Sequence, residues 1–462
     1  MTDKNRLNGQ EPGANQQNNT KRPFTDGWIA SESLLTVFAS LWMLCKGSSS
    51  QMDGSHLAQA LQRLVSAEVA PGGPYADTSG VVDPLANAAI ALFLRAKGVH
   101  LPTLAPFMAQ FEPTDLEKRV RVAAIPDIEA APRALPLNLT AGYEGLLVDI
   151  NTRVRVDMAA WPDPLAALGE QMFAMLLRAD KTGEIRLMPQ LFAGSLAVSS
   201  DISNDQLVLL GVANVFFWIG GMLFDDFLDE EGKPELLPIA TVAHRHALAL
   251  YRQITAHNPR QYEHLETYCL RADHANAWEV THARVRVTKG IITLSELPEY
   301  GDHWTLADRS IGHLFGPLLI MRQLSDATDV QLAHAEQGLR HYLIARQLND
   351  DIHDWRKDLG VGQLSAVVVA LLSGAGVRPG NHRLTTLIPT IEQHFMDRGL
   401  EFVGDLLEQH TALARESLAA SGLVATAGGL NNLITRQESI MHAALETNDN
   451  YHKFLATFSD KN

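Results

Sequence analysis

From Trp28 onward, apolar residues return every three or four positions, the spacing that lays one face of an α-helix on a core. SESLLTVFASLWMLCK is the first such run, with Ser31 or Ser33 placed to cap it. HLAQALQRLVSAEV is the second, and Pro71-Gly72-Gly73-Pro74 stops it. Asp83-Pro84 opens a third, with Asp at the cap and Pro in the first turn; it runs to Gly98. The stretch from Pro113 to Pro136 is punctuated by prolines and suits a linker. Residues 148–158 (VDINTRVRVDM) alternate apolar and polar positions, which predicts a short hairpin. Asp163-Pro164 opens another helix. Beyond it the pattern predicts helices over 164–178, 206–229, 238–256, 261–289, 304–323, 330–358, 364–373, 386–420 and 430–457. No internal repeat of fixed period is visible.

The expected organisation is therefore a polar, disordered tail over 1–26, an N-terminal helical region over 27–135 and a linker with the hairpin over 136–163. An all-α domain then fills 164–462, roughly 300 residues of helix.

Composition changes this picture in three ways. The chain has 462 residues, 46% hydrophobic and 20% charged, which is ordinary for a globular protein with a sizeable core. Acids outnumber bases 53 to 38, giving a net charge of −15, so no nucleic-acid partner is expected. The two cysteines, Cys45 and Cys269, exclude a disulfide framework and make a cytoplasmic location the default. No uninterrupted apolar run of about 20 residues is seen, so no membrane anchor is expected, and the N-terminus does not read as a secretory signal. The 18 histidines show no two-His-plus-acid spacing and read as packing or solvated groups.

Two acidic segments carry the candidate chemistry. Asp225, Asp226 and Asp229 end the very apolar run LVLLGVANVFFWIGGMLF. On a helix, Asp225 and Asp229 share a face with Met222, Gly221 and Trp218, which describes an apolar pocket under an acidic rim. Acid at a helix C-terminus opposes the helix dipole, so a purely structural role is a poor account of it. Asp350, Asp354 and Asp358 fall at i, i+4 and i+8 and line roughly 12 Å of helix. Like charges at that spacing repel, whereas a hard cation takes oxygen ligands of this kind. A surface stripe balanced by Arg346, Arg356 and Lys357 is the competing reading of the second segment. If both helices face one cavity, the two clusters can hold Mg²⁺ with a diphosphate between them.

These segments resemble the metal motifs of the class I isoprenoid synthases. DDFLD at 225–229 looks like the family's aspartate-rich first motif. Gln347, Asn349, Asp350, Asp351 and Asp354 look like the second motif of trans-prenyl synthases, where Gln stands three residues before an Asp pair. Counted from Asp350 through Asp354 to Asp358, with Lys357 just before the last acid, the segment also resembles the second metal motif of terpene cyclases. The resemblance spans about 165–457 and implies an all-α class I isoprenoid-synthase bundle with an N-terminal helical extension. It implies three Mg²⁺ ions, for which Mn²⁺ can substitute, a prenyl diphosphate substrate, and a sensor role for Arg309 next to the Gly312, Gly316 and Pro317 helix breakers. It also implies a pocket lined by Trp218, Met222, Phe315, Gly312 and Gln347, and leaves a homodimer open as the assembly. GGPYADTSGVVDPLANAAIALFLRAKGVHLP resembles a repeat of the α/α-barrel domains of class II cyclases without their acid cluster, so a vestigial layer is expected there.

The sequence also departs from the family. EEGKPELLP follows Asp229 where elongases carry Arg-Arg-Gly, and no Gly-Lys-x-Arg segment is present. Those absences favour chemistry on one allylic diphosphate over two-substrate condensation. The C-terminal Arg-Tyr pair of many bacterial cyclases is missing, with Tyr451 as a faint substitute, and Asp354 stands where Ser or Thr is usual. The expected function is a Mg²⁺-dependent terpene synthase, with a prenyl transferase on the same fold or a non-catalytic cation-binding scaffold as alternatives.

Overall fold

Ile150, Val154 and Met158 recur every four residues and are all buried, and that spacing makes helix α1 (Glu144–Ala159) where a hairpin was expected. Alternation and four-residue spacing coexist in this segment; the apolar residues that find a core are the helical set. The computed structural model describes residues 142–198, 202–229, 231–324, 327–425 and 427–459, with the single positions 87, 106 and 109. Two compact units result, 127–449 and 1–126 together with 450–462. The hairpin-bearing linker expected over 136–163 is thus part of the larger unit. The predicted N-terminal tail and first two helices, with Cys45, lie outside the described residues. Of the third helix only Asn87 is described, as helical and buried.

The larger unit is helical almost throughout. After α1 come α2 (Leu165–Ala179) and α3 (Glu184–Ala193), the latter unforeseen because Pro189 interrupts its pattern. Helices α4 (Asn204–Leu228) and α5 (Leu237–Ile254) pack along one another. Ser203 and Gln206 close a capping box at the start of α4. Next are α6 (Pro259–His282), the strands β1 (Val287–Thr288) and β2 (Ile291–Leu294), and the short α7 (Trp304–Arg309). A 3₁₀ turn, Ile311–Leu314, joins α7 to α8 (Phe315–Arg322), so the helix predicted over 304–323 is broken at the breakers the sequence shows. Then follow α9 (Asp329–Val361), α10 (Ala366–Gly374), β3 (Gly380–Arg383), α11 (Leu384–His394), α12 (Leu400–Ser421) and α13 (Gly429–Ser459). A π-helical turn, Phe395–Gly399, divides the predicted 386–420 helix into α11 and α12. The three strands form one antiparallel sheet in the order β1-β2-β3.

The core is built on two main pairings, α4 against α5 and α9 against α12. Phe173, Phe192, Phe216, Tyr251, Phe315, Tyr342, Trp355 and Phe395 are its largest fully buried side chains. By length and composition alone α4 could cross a membrane, contrary to the expectation of no such run, but 61% of its apolar window is buried within this fold. Its hydrophobicity is accounted for by packing against neighbouring helices.

Candidate functional site

Helix α4 is buried over most of its circumference, yet one stripe stays half-open: Trp218, Gly221, Met222, Asp225 and Asp229. A side chain added at Gly221 would meet nothing within 4 Å. The apolar stripe under an acidic rim is thus present as predicted from the helical phase. Phe315 lies elsewhere: it is fully buried against Phe217 and Tyr251, with ring centroids 4.5 and 5.9 Å away. Gly312 sits on the 3₁₀ turn, where a β-carbon would run into the Phe217 ring. Phe315 is therefore core, and Gly312 is a close-approach position beside the broken helix.

The rim is organised by a buried acid that the sequence did not single out. Glu279, near the end of α6 and 2% exposed, ion-pairs with both Arg309 and Arg284. Each arginine carries its other contact to the first acidic segment, Arg309 to Asp225 at 3.0 Å and Arg284 to Asp229. Burial holds the Glu279 carboxyl above the ordinary Glu range in spite of the two guanidinium groups. Arg284 is aimed by backbone pairing between its loop and the end of α9: Val285 donates to the Gly362 carbonyl at 2.8 Å and Leu364 donates to Ala283 at 2.7 Å. Gly362 has a φ of 85°, and any side chain there would overlap the Val285 carbonyl. Tyr300 ties the same stretch down by donating to the Leu364 carbonyl at 2.9 Å.

The second acidic segment approaches from α9. Gln347 donates to Asp351 at 2.8 Å and accepts from the Ser310 hydroxyl at 3.2 Å. Asp351 lies within electrostatic range of Arg309 and Glu279, and Asp358 within range of Asp229. Lys357 bridges the two segments by an exposed ion pair with Glu231 at 2.9 Å. The two acidic helix ends are therefore neighbours, linked through Arg309 and Lys357. Asp354 is half-buried, and its charge is felt by Lys357 and Asp358.

The residue of α9 that faces this network is Asp351. Asp350 is exposed and lines a separate cavity of about 120 Å³, together with Glu184, Arg346 and Arg436. Asn349 is buried and bonds to the Gln437 carbonyl and side chain, so it ties α9 to α13. Tyr451 is buried on α13.

Burial pushes the Asp351 carboxyl up to about 7 and that of Asp358 up to about 8, with neighbouring carboxylates adding to the effect. Burial also raises Asp226, and Asp225, Glu231 and Asp229 add to it. One Asp351 oxygen, Oδ2, is buried with no hydrogen-bond partner. Carboxylates in this state accept either a proton or a hard cation. Among the described residues no three acid, histidine or cysteine side chains converge as a ready-made metal site. A cation here would take the place of the arginines on Asp225 and Asp229.

Helical spacing singled out Asp225 with Asp229 and Asp350 with Asp354 and Asp358, and the motif resemblance added Asp226 and Arg309. Glu279, Arg284 and Tyr300 were missed because nothing local marks them; their roles arise only when α6 meets the ends of α4 and α9. The i, i+4 pair Gln347 and Asp351 was the available sign that Asp351 shares a face with the glutamine. No family model and no curated protein matches this chain.

Proposed function

We infer that the chain is a Mg²⁺-dependent class I terpene synthase that ionises an allylic prenyl diphosphate and cyclises or rearranges the carbocation. One observation carries the reading: Arg309 ion-pairs with Asp225 of the first acidic segment and lies within electrostatic range of Asp351 of the second, on the helix that bears the half-open Trp218–Met222 stripe. A protein that needed these acids only for stability would gain little from crowding them in a half-buried place.

In this reading Asp225, Asp226 and Asp229 hold Mg²⁺ from α4, and Asp351, Asp354 and Asp358 hold it from α9. Asp351 takes the place that the motif resemblance gives to Asp350. Bound Mg²⁺ supplies Lewis-acid stabilisation of the departing diphosphate. Arg309, released from Asp225, turns its planar donors to the phosphate oxygens, which suit a guanidinium fork. Lys357, at the junction of the two segments, adds a second positive charge. Neutralising the leaving group is what allows the allylic C–O bond to break. Trp218 and Met222 then present an aromatic face and a polarizable thioether to the cation and keep water from it.

The test is incubation of the purified chain with ten-, fifteen-, twenty- and twenty-five-carbon allylic diphosphates, with and without Mg²⁺ and with and without isopentenyl diphosphate. The expected outcome is Mg²⁺-dependent diphosphate release and a hydrocarbon or alcohol product from one allylic substrate alone. Products formed only with isopentenyl diphosphate identify an elongase, and no release from any substrate removes the reading. Asp225→Asn and Asp351→Asn should each lower release by at least about 100-fold while the chain still melts cooperatively, because an amide keeps the shape and loses the charge.

A further inference from the structure

The cavity at Asp350 lies between α9, α13 and the first turn of α3, and it has two chemically opposed walls. On one wall, Asn349 spends its amide N–H groups on the Gln437 carbonyl and side-chain oxygen, both at 2.8 Å. Its own Oδ1 is buried and has no partner. His353, 2% exposed, places Nδ1 2.6 Å from the Asn349 carbonyl oxygen. A carbonyl can only accept, so Nδ1 carries the proton and Nε2 presents a lone pair. That Nε2 is also buried and unpartnered. Both atoms are sealed from solvent, so this wall turns to the cavity the Asp350 carboxylate at the mouth and the Gln437 amide.

The other wall has donors in surplus. Arg436, 8% exposed, and Arg346 share the single carboxylate of Glu184, at 2.6 and 3.6 Å. That carboxylate also accepts from the Tyr342 hydroxyl at 2.8 Å. Nε of Arg436 is left buried without a partner.

A divalent cation would satisfy the acceptors but face two guanidinium groups. An anion would satisfy the guanidinium groups but face the Asp350 carboxylate. We propose that this cavity binds a small zwitterion, with a primary ammonium on Asp350 and a carboxylate on Arg346 and Arg436. The size agrees: about 120 Å³ holds roughly four waters at about 30 Å³ each, or an amino acid with a short side chain. The cavity is distinct from the proposed diphosphate site, since neither Arg309 nor the α4 acids line it, although the Asp350 charge is felt by Asp351.

The experiment is calorimetric titration of the full chain with L-alanine and L-serine. Ethylammonium, acetate, inorganic phosphate and MgCl₂ serve as single-function controls. The expected result is saturable binding of at least one amino acid, with ethylammonium and acetate weaker by about tenfold or more. Asp350→Asn, at an exposed position, should weaken it about tenfold with an unchanged melting temperature, and Arg346→Gln should do the same from the carboxylate end. The proposal is overturned if neither amino acid saturates below about 10 mM, which leaves ordered water as the occupant. It is equally overturned if Asp350→Asn and Arg346→Gln weaken phosphate or Mg²⁺ binding more than amino-acid binding, or if both variants bind the amino acids as the parent does.

Discussion

Asp351 and Asp358 each hold a proton at a pH where a solvated aspartate holds none, and the sign of the consequence can be worked out. Their folded-state values, about 7 and about 8, lie above the unfolded value of 3.8. The unfolded chain therefore sheds these protons first, and the stability they contribute is complete below the unfolded value and is lost as pH rises through 7 to 8. The metal-free protein should melt at progressively lower temperature between about pH 6.5 and about pH 8.5, and added Mg²⁺ should raise the melting temperature more at the upper end. In Asp351→Asn the pH-dependent loss should shrink, which differential scanning calorimetry resolves; an unchanged slope would show that Asp351 is not the group titrating. The histidines work in the opposite direction in a separate window. Burial, with His341 and His303 adding to it, holds His410 down at about 4. Its contribution is present above 6.5 and is lost on the acid side. Measurements above about pH 6.5 keep the two apart.

Between elements, the end of α9 does more than carry acids. The Gly362 turn receives the loop after α6 by backbone hydrogen bonds, and that loop delivers Arg284 to Asp229 and Glu279. Only glycine satisfies both the positive φ and the close approach of the Val285 carbonyl. Gly362→Ala should cost at least about 1–3 kcal/mol in denaturant unfolding, since it forces both strain and loss of the backbone pairing. Wild-type stability would mean that this turn does not hold the loop. Such a joint is hard to read from sequence, because Gly362 looks like an ordinary helix stop and Arg284 like an ordinary loop arginine. The long helices were legible for the opposite reason. Their apolar positions repeat at the helical spacing, and local chemistry fixes their ends, as in the Thr328–Gln331 capping box before α9 and the left-handed Gly362 after it. The segment 148–158 shows the limit: two periods fitted the same residues, and contact with the core selected the helical one.

At the scale of the whole molecule, the acidic stripe and the apolar stripe on α4 were legible as one face. What closes around them was not, because it comes from α6, the broken α7–α8 segment and α9, far apart in the chain. That division suggests separable roles. Trp218 lies two turns before Asp225 on the half-open face of α4 and takes no part in the ion pairs. Arg309 belongs wholly to them, held by Glu279 and Asp225. In the proposed reaction an aromatic face near the carbocation is worth roughly 0.5–2 kcal/mol. That is enough to redistribute products whose barriers differ by similar amounts and too little to control release of the diphosphate. Trp218→Leu should therefore change the product ratio several-fold while diphosphate release stays within about twofold of the parent. Arg309→Ala removes a charge-assisted partner of the leaving group, so release should fall by about 10- to 100-fold with the product pattern kept. The same variant frees Asp225 and leaves Glu279 with Arg284 alone, so its melting temperature must be measured beside its rate. A Trp218→Leu enzyme with unaltered products, or an Arg309→Ala enzyme that releases diphosphate at full speed with new products, would reverse the two roles while leaving the metal-holding acids in place.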